Sequence, residues 1–305
     1  MVNLSSFQRL AIGTTAITYF LILVGGLVRA SGAGLGCPDW PRCFGSWIPP
    51  VSAAELPPQF DSAQFNPTLM WTEYLNRLLG VVVGLLIFAT VLSAWRRHRR
   101  DPRILWSTIA ALLLTGFQGW LGGRVVAHDL AAWIVTTHLM VALVIVSLLL
   151  YATVSAFAPL APLAPLAPAV RAVAVLIALT LVQIVLGAQV RGRIDSALDA
   201  SVPRADALGT VGALDSLHRT SALVVLGGAA LLAVLIWRHY PTQPTLRVWS
   251  LAVVASACAQ VALGIAMAYV SLVPAAQVAH LTIASLLLGA EMVLFLLIRN
   301  EESVP

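Results

Sequence analysis

The sequence predicts an all-α membrane protein whose eight transmembrane helices form two pseudo-symmetric four-helix bundles. Three observations carry that expectation. Hydrophobic residues make up 59% of the 305 positions and charged residues only 10%, against about a quarter charged in soluble domains, and mean hydropathy is +0.90. Eight apolar stretches reach the roughly 20 residues a helix needs to cross the hydrocarbon core. The chain also repeats itself. Asn76 and His138 are 62 residues apart, as are His218 and His280, while Gln118 precedes His138 by 20 residues, as Gln260 precedes His280.

The first stretch, 8–29, is too long and too continuous with the rest of the chain to be a cleaved signal peptide. The second, 73–95, opens on Glu73-Tyr74-Leu75-Asn76-Arg77 and ends in arginines; 104–123 and 132–155 complete the first half. Proline then recurs every third residue from Pro159 to Pro168. That period is one turn of polyproline II, so an extended linker over 158–169 is expected between an N-terminal unit, 1–157, and a C-terminal one, 170–305. The second half repeats the pattern with 171–191, 214–237, 247–270 and 277–298, its second member opening on Asp215-Ser216-Leu217-His218-Arg219. In lipid every backbone polar group must be paired within the span, and runs of this length are too long for barrel strands. Four spans per half is an even number, so the repeat is parallel, about an axis along the membrane normal.

Orientation rests on arginine, because the chain has no lysine. Arg96, Arg97, Arg99, Arg100 and Arg103 crowd one short connection, and Arg238 and Arg247 bracket another. The positive-inside rule places these connections, and both termini, in the cytoplasm of a multi-pass protein of the cell inner membrane. The outer side receives 30–72 and 192–213, with Asp39, Glu55, Asp61, Asp195, Asp199 and Asp206. A pI near 9.6 therefore reflects topology. No nucleic-acid partner is expected, since that would need a soluble basic face.

His138, His218 and His280 fall a few residues inside the outer ends of their spans, where ionisable groups are costly and point to function. A lone intramembrane histidine can equally be a packing residue, but the repeat favours ligation. His218 and His280 would face each other across one bundle at similar depth, as bundle cofactor ligands do, and two neutral imidazoles suit a haem iron. Zinc would call for four ligands. Gly187, Gly227, Gly228, Gly264 and Gly289 offer room for a flat macrocycle, although glycine is common between membrane helices in any case. In the first half Asn76 stands where the second has histidine, leaving His138 as its imidazole.

Glu73 and Asp215 lie one turn outward of Asn76 and His218. Dipole compensation is the expectation for Asp215, and proton handling or orientation of a bound group for Glu73. Arg29 with Arg191, and Arg77 with Arg219, are matched pairs at the outer rim, suited to anionic groups such as propionates or to interfacial snorkelling. Cys37 and Cys43 share the first outer loop and can close a small disulfide in an oxidising compartment. It could serve as a staple or take part in redox chemistry. Cys258 is read as a packing residue.

With Gly-Leu-Gly-Cys-Pro-Asp-Trp-Pro-Arg-Cys at 34–43, the Glu73–Arg77 segment, His218-Arg219 and His280 in view, the chain resembles the haem A synthases over nearly its whole length. The resemblance implies haem b between His218 and His280, with Arg219 and Arg191 nearby. It implies substrate haem O in the first half at His138, Asn76, Arg77 and Arg29, with Glu73, Cys37 and Cys43 in catalysis or redox handover. The reaction implied is oxidation of a porphyrin methyl group to formyl, giving haem A for cytochrome c oxidase. The implied partners are haem O synthase, the oxidase assembly pathway, an electron-transfer protein, membrane lipid and further copies of the chain. Asn76 departs from the family's histidine, which keeps a second reading open: a membrane cytochrome b or haem-delivery protein without full activity.

Overall fold

A computed structural model describes residues 4–157 and 168–301. Eight long helices account for most of it: α1 Ser6–Ala30, α2 Pro67–His98, α3 Pro102–Ala127, α4 Ala132–Ser155, α5 Pro168–Asp199, α6 Ala213–His239, α7 Pro244–Tyr269 and α8 Pro274–Glu301. All eight are long and apolar enough to cross a membrane, and among the described residues there are no named strands, so the expected all-α, eight-span class holds. Five of the eight begin on proline: Pro67, Pro102, Pro168, Pro244 and Pro274. Proline's fixed φ suits the first helical turn, where its missing N–H costs nothing. Asn66 and Asp101 cap α2 and α3 by accepting from the Thr68 and Arg103 backbone N–H groups.

Three boundaries differ from the sequence reading. Residues 158–167 of the expected linker lie outside the described residues, while Pro168 and Ala169 already belong to α5. That helix runs on through Asp199, so much of the expected outer loop 192–213 is helical; leucine, isoleucine and alanine interleaved with its charges keep a helical surface paired. At the same outer rim, α2 begins at Pro67, so Glu73 sits well inside a helix. Helix-dipole compensation acts only in the first turn and does not explain this carboxylate.

The helices pack as two rings. In one, α1 meets α2, α2 meets α3, α3 meets α4 and α4 returns to α1; α5, α6, α7 and α8 close the other in the same order. The rings meet where α8 lies against α1 and α4, and α4 against α5. Accordingly α8 is the most enclosed span, with 56% of its apolar window buried. Small residues permit this approach: Gly26 meets Leu281, and Gly289 receives the Tyr19 hydroxyl.

Each ring has its apolar core at the end bearing the arginine connections. Val173, Leu176, Val225, Leu232, Ile236, Val253, Leu294 and Ile298 fill the second ring there, and Val83, Ile87, Ala111, Ile145 and Leu149 the first. Histidine, asparagine, glutamine and glycine lie toward the opposite end, where Val190, Ile194, Ala207, Val211 and Leu272 form a further apolar cluster in the second ring.

Candidate functional site

The second ring brings its two histidines together. The ring centroids of His218 on α6 and His280 on α8 lie 6.4 Å apart, inclined at 71°. Two metal–imidazole bonds of about 2 Å, extended to the ring centres, place a pair sharing one iron about 6 Å apart. Each histidine backbone is anchored by a glutamine of a neighbouring helix: Gln260 Nε2 donates to the His280 carbonyl at 2.6 Å, and Gln183 Nε2 to the His218 carbonyl at 2.7 Å. Gln183 Nε2 also stands 3.1 Å from His218 Nδ1, and Ser221 Oγ donates to Gln183 Oε1 at 2.5 Å. These bonds fix the backbone position of each histidine, and the amide nitrogen beside His218 Nδ1 is itself a donor.

Glycines open the space beside both rings. A Cβ at Gly187 would come within 2.9 Å of His218 Cε1, and one at Gly264 within 3.9 Å of His280 Cε1. Gly228 and Gly289 serve helix packing, against Leu176 and Tyr19, and Gly227 faces open space, so only two of the five glycines singled out in the sequence border the histidines. His280 Nδ1 is buried with no hydrogen-bond partner. Two facing imidazoles, glycine walls and an unsatisfied buried nitrogen fit a bis-imidazole haem.

The first ring repeats this plan with one ligand changed. Gln118 Nε2 donates to the His138 carbonyl at 3.0 Å. A Cβ on Gly122 would stand 3.7 Å from His138 Cε1, and one on Gly25 would stand 4.0 Å from Asn76 Oδ1. Both Asn76 Oδ1 and His138 Nδ1 are buried without a partner among the described residues. Leaving such atoms unsatisfied costs about 1–3 kcal/mol each. They stand at the repeat positions of the second ring's imidazoles. Gln183 has no counterpart: its repeat position is Leu21, which packs on the apolar core of the first ring, and Ser221 answers to Leu79. The first ring has thus replaced the histidine and the polar pair that holds it.

Glu73 reaches the outer loop that carries the two cysteines. Cys37 and Cys43 form a disulfide with Cα atoms 4.8 Å apart, and both are buried. The Cys37 backbone N–H donates to Glu73 Oε2 at 2.8 Å, and Glu73 Oε1 pairs with Arg77 Nη2 at 2.5 Å. Arg77 then donates to the carbonyls of Asp39 and Arg42 at 2.8 Å and of Cys37 at 3.3 Å. Glu73 and Arg77 therefore clamp the disulfide loop onto α2. The approach is so close that a Cβ on Gly36 would run into the Leu69 carbonyl. The same loop lays Trp40 on Gly123 of α3.

The remaining rim residues divide. Asp215 lies in the first turn of α6 and pairs with Arg219, which also sits 5.6 Å over the Tyr269 ring. Arg29 and Arg191 converge on one carboxylate, Asp195, at 2.8 and 2.6 Å. Cys258 is exposed on α7 rather than packed. Among the described residues no three His, Cys, Asp or Glu side chains gather as a metal cluster. Sequence reasoning missed Gly25, Gly122, Gln183 and Asp195 as site residues. The first two were detectable as repeat partners of Gly187 and Gly264; the last two have no echo.

The fold and its two sites define a polytopic membrane protein with a duplicated four-helix unit and polar, imidazole-bearing sites at one end. Within that class the chain belongs to the COX15-CtaA family, cytochrome oxidase assembly proteins, whose profile matches residues 8–292. It is similar to proteins named heme A synthase. One from Allorhizobium ampelinum is 28% identical over 206 residues, 60% of this chain and 56% of the relative. One from Methylorubrum extorquens is 31% identical over 194 residues, 56% and 50%, and one from Shewanella oneidensis 36% over 143 residues, 45% and 42%. The chain spans about half the length of the curated relatives it matches.

Proposed function

We propose that the protein is a haem A synthase that holds haem b in the second ring and oxidises a methyl group of haem O to formyl in the first. The 6.4 Å pairing of His218 with His280 carries this reading, and membership of a cytochrome oxidase assembly family supports it. Haem b, when bound, supplies one-electron chemistry at a potential set by its axial ligands. The residues of the chain do the rest. His218 and His280 ligate, Gln183 and Gln260 fix their orientation, and Gly187 and Gly264 keep the ring edges clear. In the first ring His138 would supply the one imidazole to hold haem O, since Asn76 offers only an amide, which ligates iron poorly. Arg29 and Arg191 are placed to meet propionates. Arg191 Nε and Nη1 are buried and unpartnered, and such nitrogens favour an anionic acceptor. Arg77 and Glu73 act through the loop they clamp, holding Cys37–Cys43 and Trp40 over the substrate half.

The division into an N-terminal substrate half and a C-terminal haem b half, an inner-membrane location with both termini cytoplasmic, and handover from haem O synthase toward the oxidase complete the reading. A membrane cytochrome b or delivery protein is the second reading, and Asn76 is what favours it. Pigment extraction separates them: after expression in a host that makes haem O but no haem A, the synthase yields haem A or its alcohol precursor. Haem b alone, with haem O present, would refute the proposal.

A further inference from the structure

One carboxylate serves both sites. Arg29, at the outer end of α1, directs Nε and Nη2 to Asp195 Oδ2 at 3.2 and 2.8 Å, while Arg191 directs Nη2 to Oδ1 at 2.6 Å. The two arginines are repeat partners, each four residues after the glycine that faces a ligand position: Gly25 beside Asn76, Gly187 beside His218. Residues four apart share a helix face, so each guanidinium stands one turn outward of its own site. The acid is not repeated. Ala33 occupies the position in the first half that answers to Asp195, so the bridge is a single asymmetric link between two otherwise matched sites.

Two guanidinium groups against one carboxylate leave an excess positive charge, and Arg191 still has Nε and Nη1 buried without partners. The cluster thus retains donors for a further anion. We propose that Asp195 is a positioning residue coupling the two sites: it competes with the acidic edge of a porphyrin in either half for the arginine of that half. The inference rests on the reading of both rings as porphyrin sites. When a propionate in the first ring draws Arg29 away, Asp195 loses one of its two counter-ions and its negative charge bears more fully on Arg191 and the second site. The haem held by His218 and His280 then becomes harder to reduce, and by linkage the effect is reciprocal.

The test is an optical redox titration of the His218/His280 haem in detergent-solubilised full-length protein, with and without zinc protoporphyrin IX, which carries propionates and is redox-silent over that range. Wild type is expected to show a reduction equilibrium several-fold to tenfold less favourable when loaded, up to about 60 mV for a one-electron couple. Asp195→Asn should raise the unloaded potential and abolish the response, while Asp195→Glu should retain it. Haem content per chain checks that Asp195→Asn is folded, and Asp195→Ser replaces it if that variant loses haem. A wild-type response that persists unchanged in the neutral variants, with both groups bound, overturns the coupling. Full retention of the low-spin haem in His218→Ala would instead overturn the site reading, and this inference with it.

Discussion

Replacing Gly187 by alanine adds one methyl group and tests the second site more sharply than removing a ligand. The new Cβ would lie 2.9 Å from His218 Cε1, well inside the 3.4–4 Å of ordinary contact. The imidazole must therefore retreat by about half an ångström or more, and it is not free to do so, because Gln183 holds its carbonyl at 2.7 Å and stands 3.1 Å from Nδ1. Overpacking of this kind costs about 1–3 kcal/mol. Alanine returns up to about 1 kcal/mol through helix propensity, so overall stability should change little while the ligand geometry suffers. With about 1.4 kcal/mol per decade, haem retention should weaken roughly 10- to 100-fold. Haem per chain and the low-spin electron paramagnetic resonance signal, tracked through dilution or competition with an apo-globin, read it out. Gly264→Ala is the control, since its Cβ would sit 3.9 Å from His280 Cε1 and should be nearly silent. Equal haem loss in both variants, or none in Gly187→Ala, would refute the assignment of Gly187 as the wall of a ligand site.

The same geometry sets the outcome of other changes. Asn76→His should add a low-spin component to the first site without disturbing the second, though with a more variable signal than wild-type His218, since Leu21 cannot anchor the new ring as Gln183 does; an unchanged spectrum with haem bound there would count against Asn76 as the second ligand position. Glu73→Ala leaves Arg77 without its carboxylate and Cys37 N–H without its acceptor in a mostly buried pair, and should destabilise the loop by about 3–5 kcal/mol, seen as faster limited proteolysis within 31–66. Reduction of Cys37–Cys43 should loosen the same loop by about 2 kcal/mol, the chain-entropy value for so short a ring, and thiol labelling should then proceed at both cysteines. Gln183→Leu should preserve haem binding but broaden the low-spin signal by freeing the His218 ring; a spectrum identical to wild type would show that the glutamine does not orient it.

The order of residues along the chain was enough for the class and the duplication. Apolar runs near 20 residues admit one solution in lipid, and fixed spacings of Asn76, His138, His218 and His280 put matching polar groups at one end of the bundle without any knowledge of contacts. Those spacings also singled out Asn76 as the break in the pattern. Which residues act together was settled by folding alone. Glu73 reads from sequence as an acid beside a ligand position, yet folding turns it toward the Cys37 amide, because the loop that reaches it returns from 36 residues away in the chain. Gln183 and Asp195 leave no periodic trace. Their partners, His218 and Arg29, come from other helices, and the distances that give them meaning are set by how α1, α5 and α6 pack rather than by any spacing along the chain.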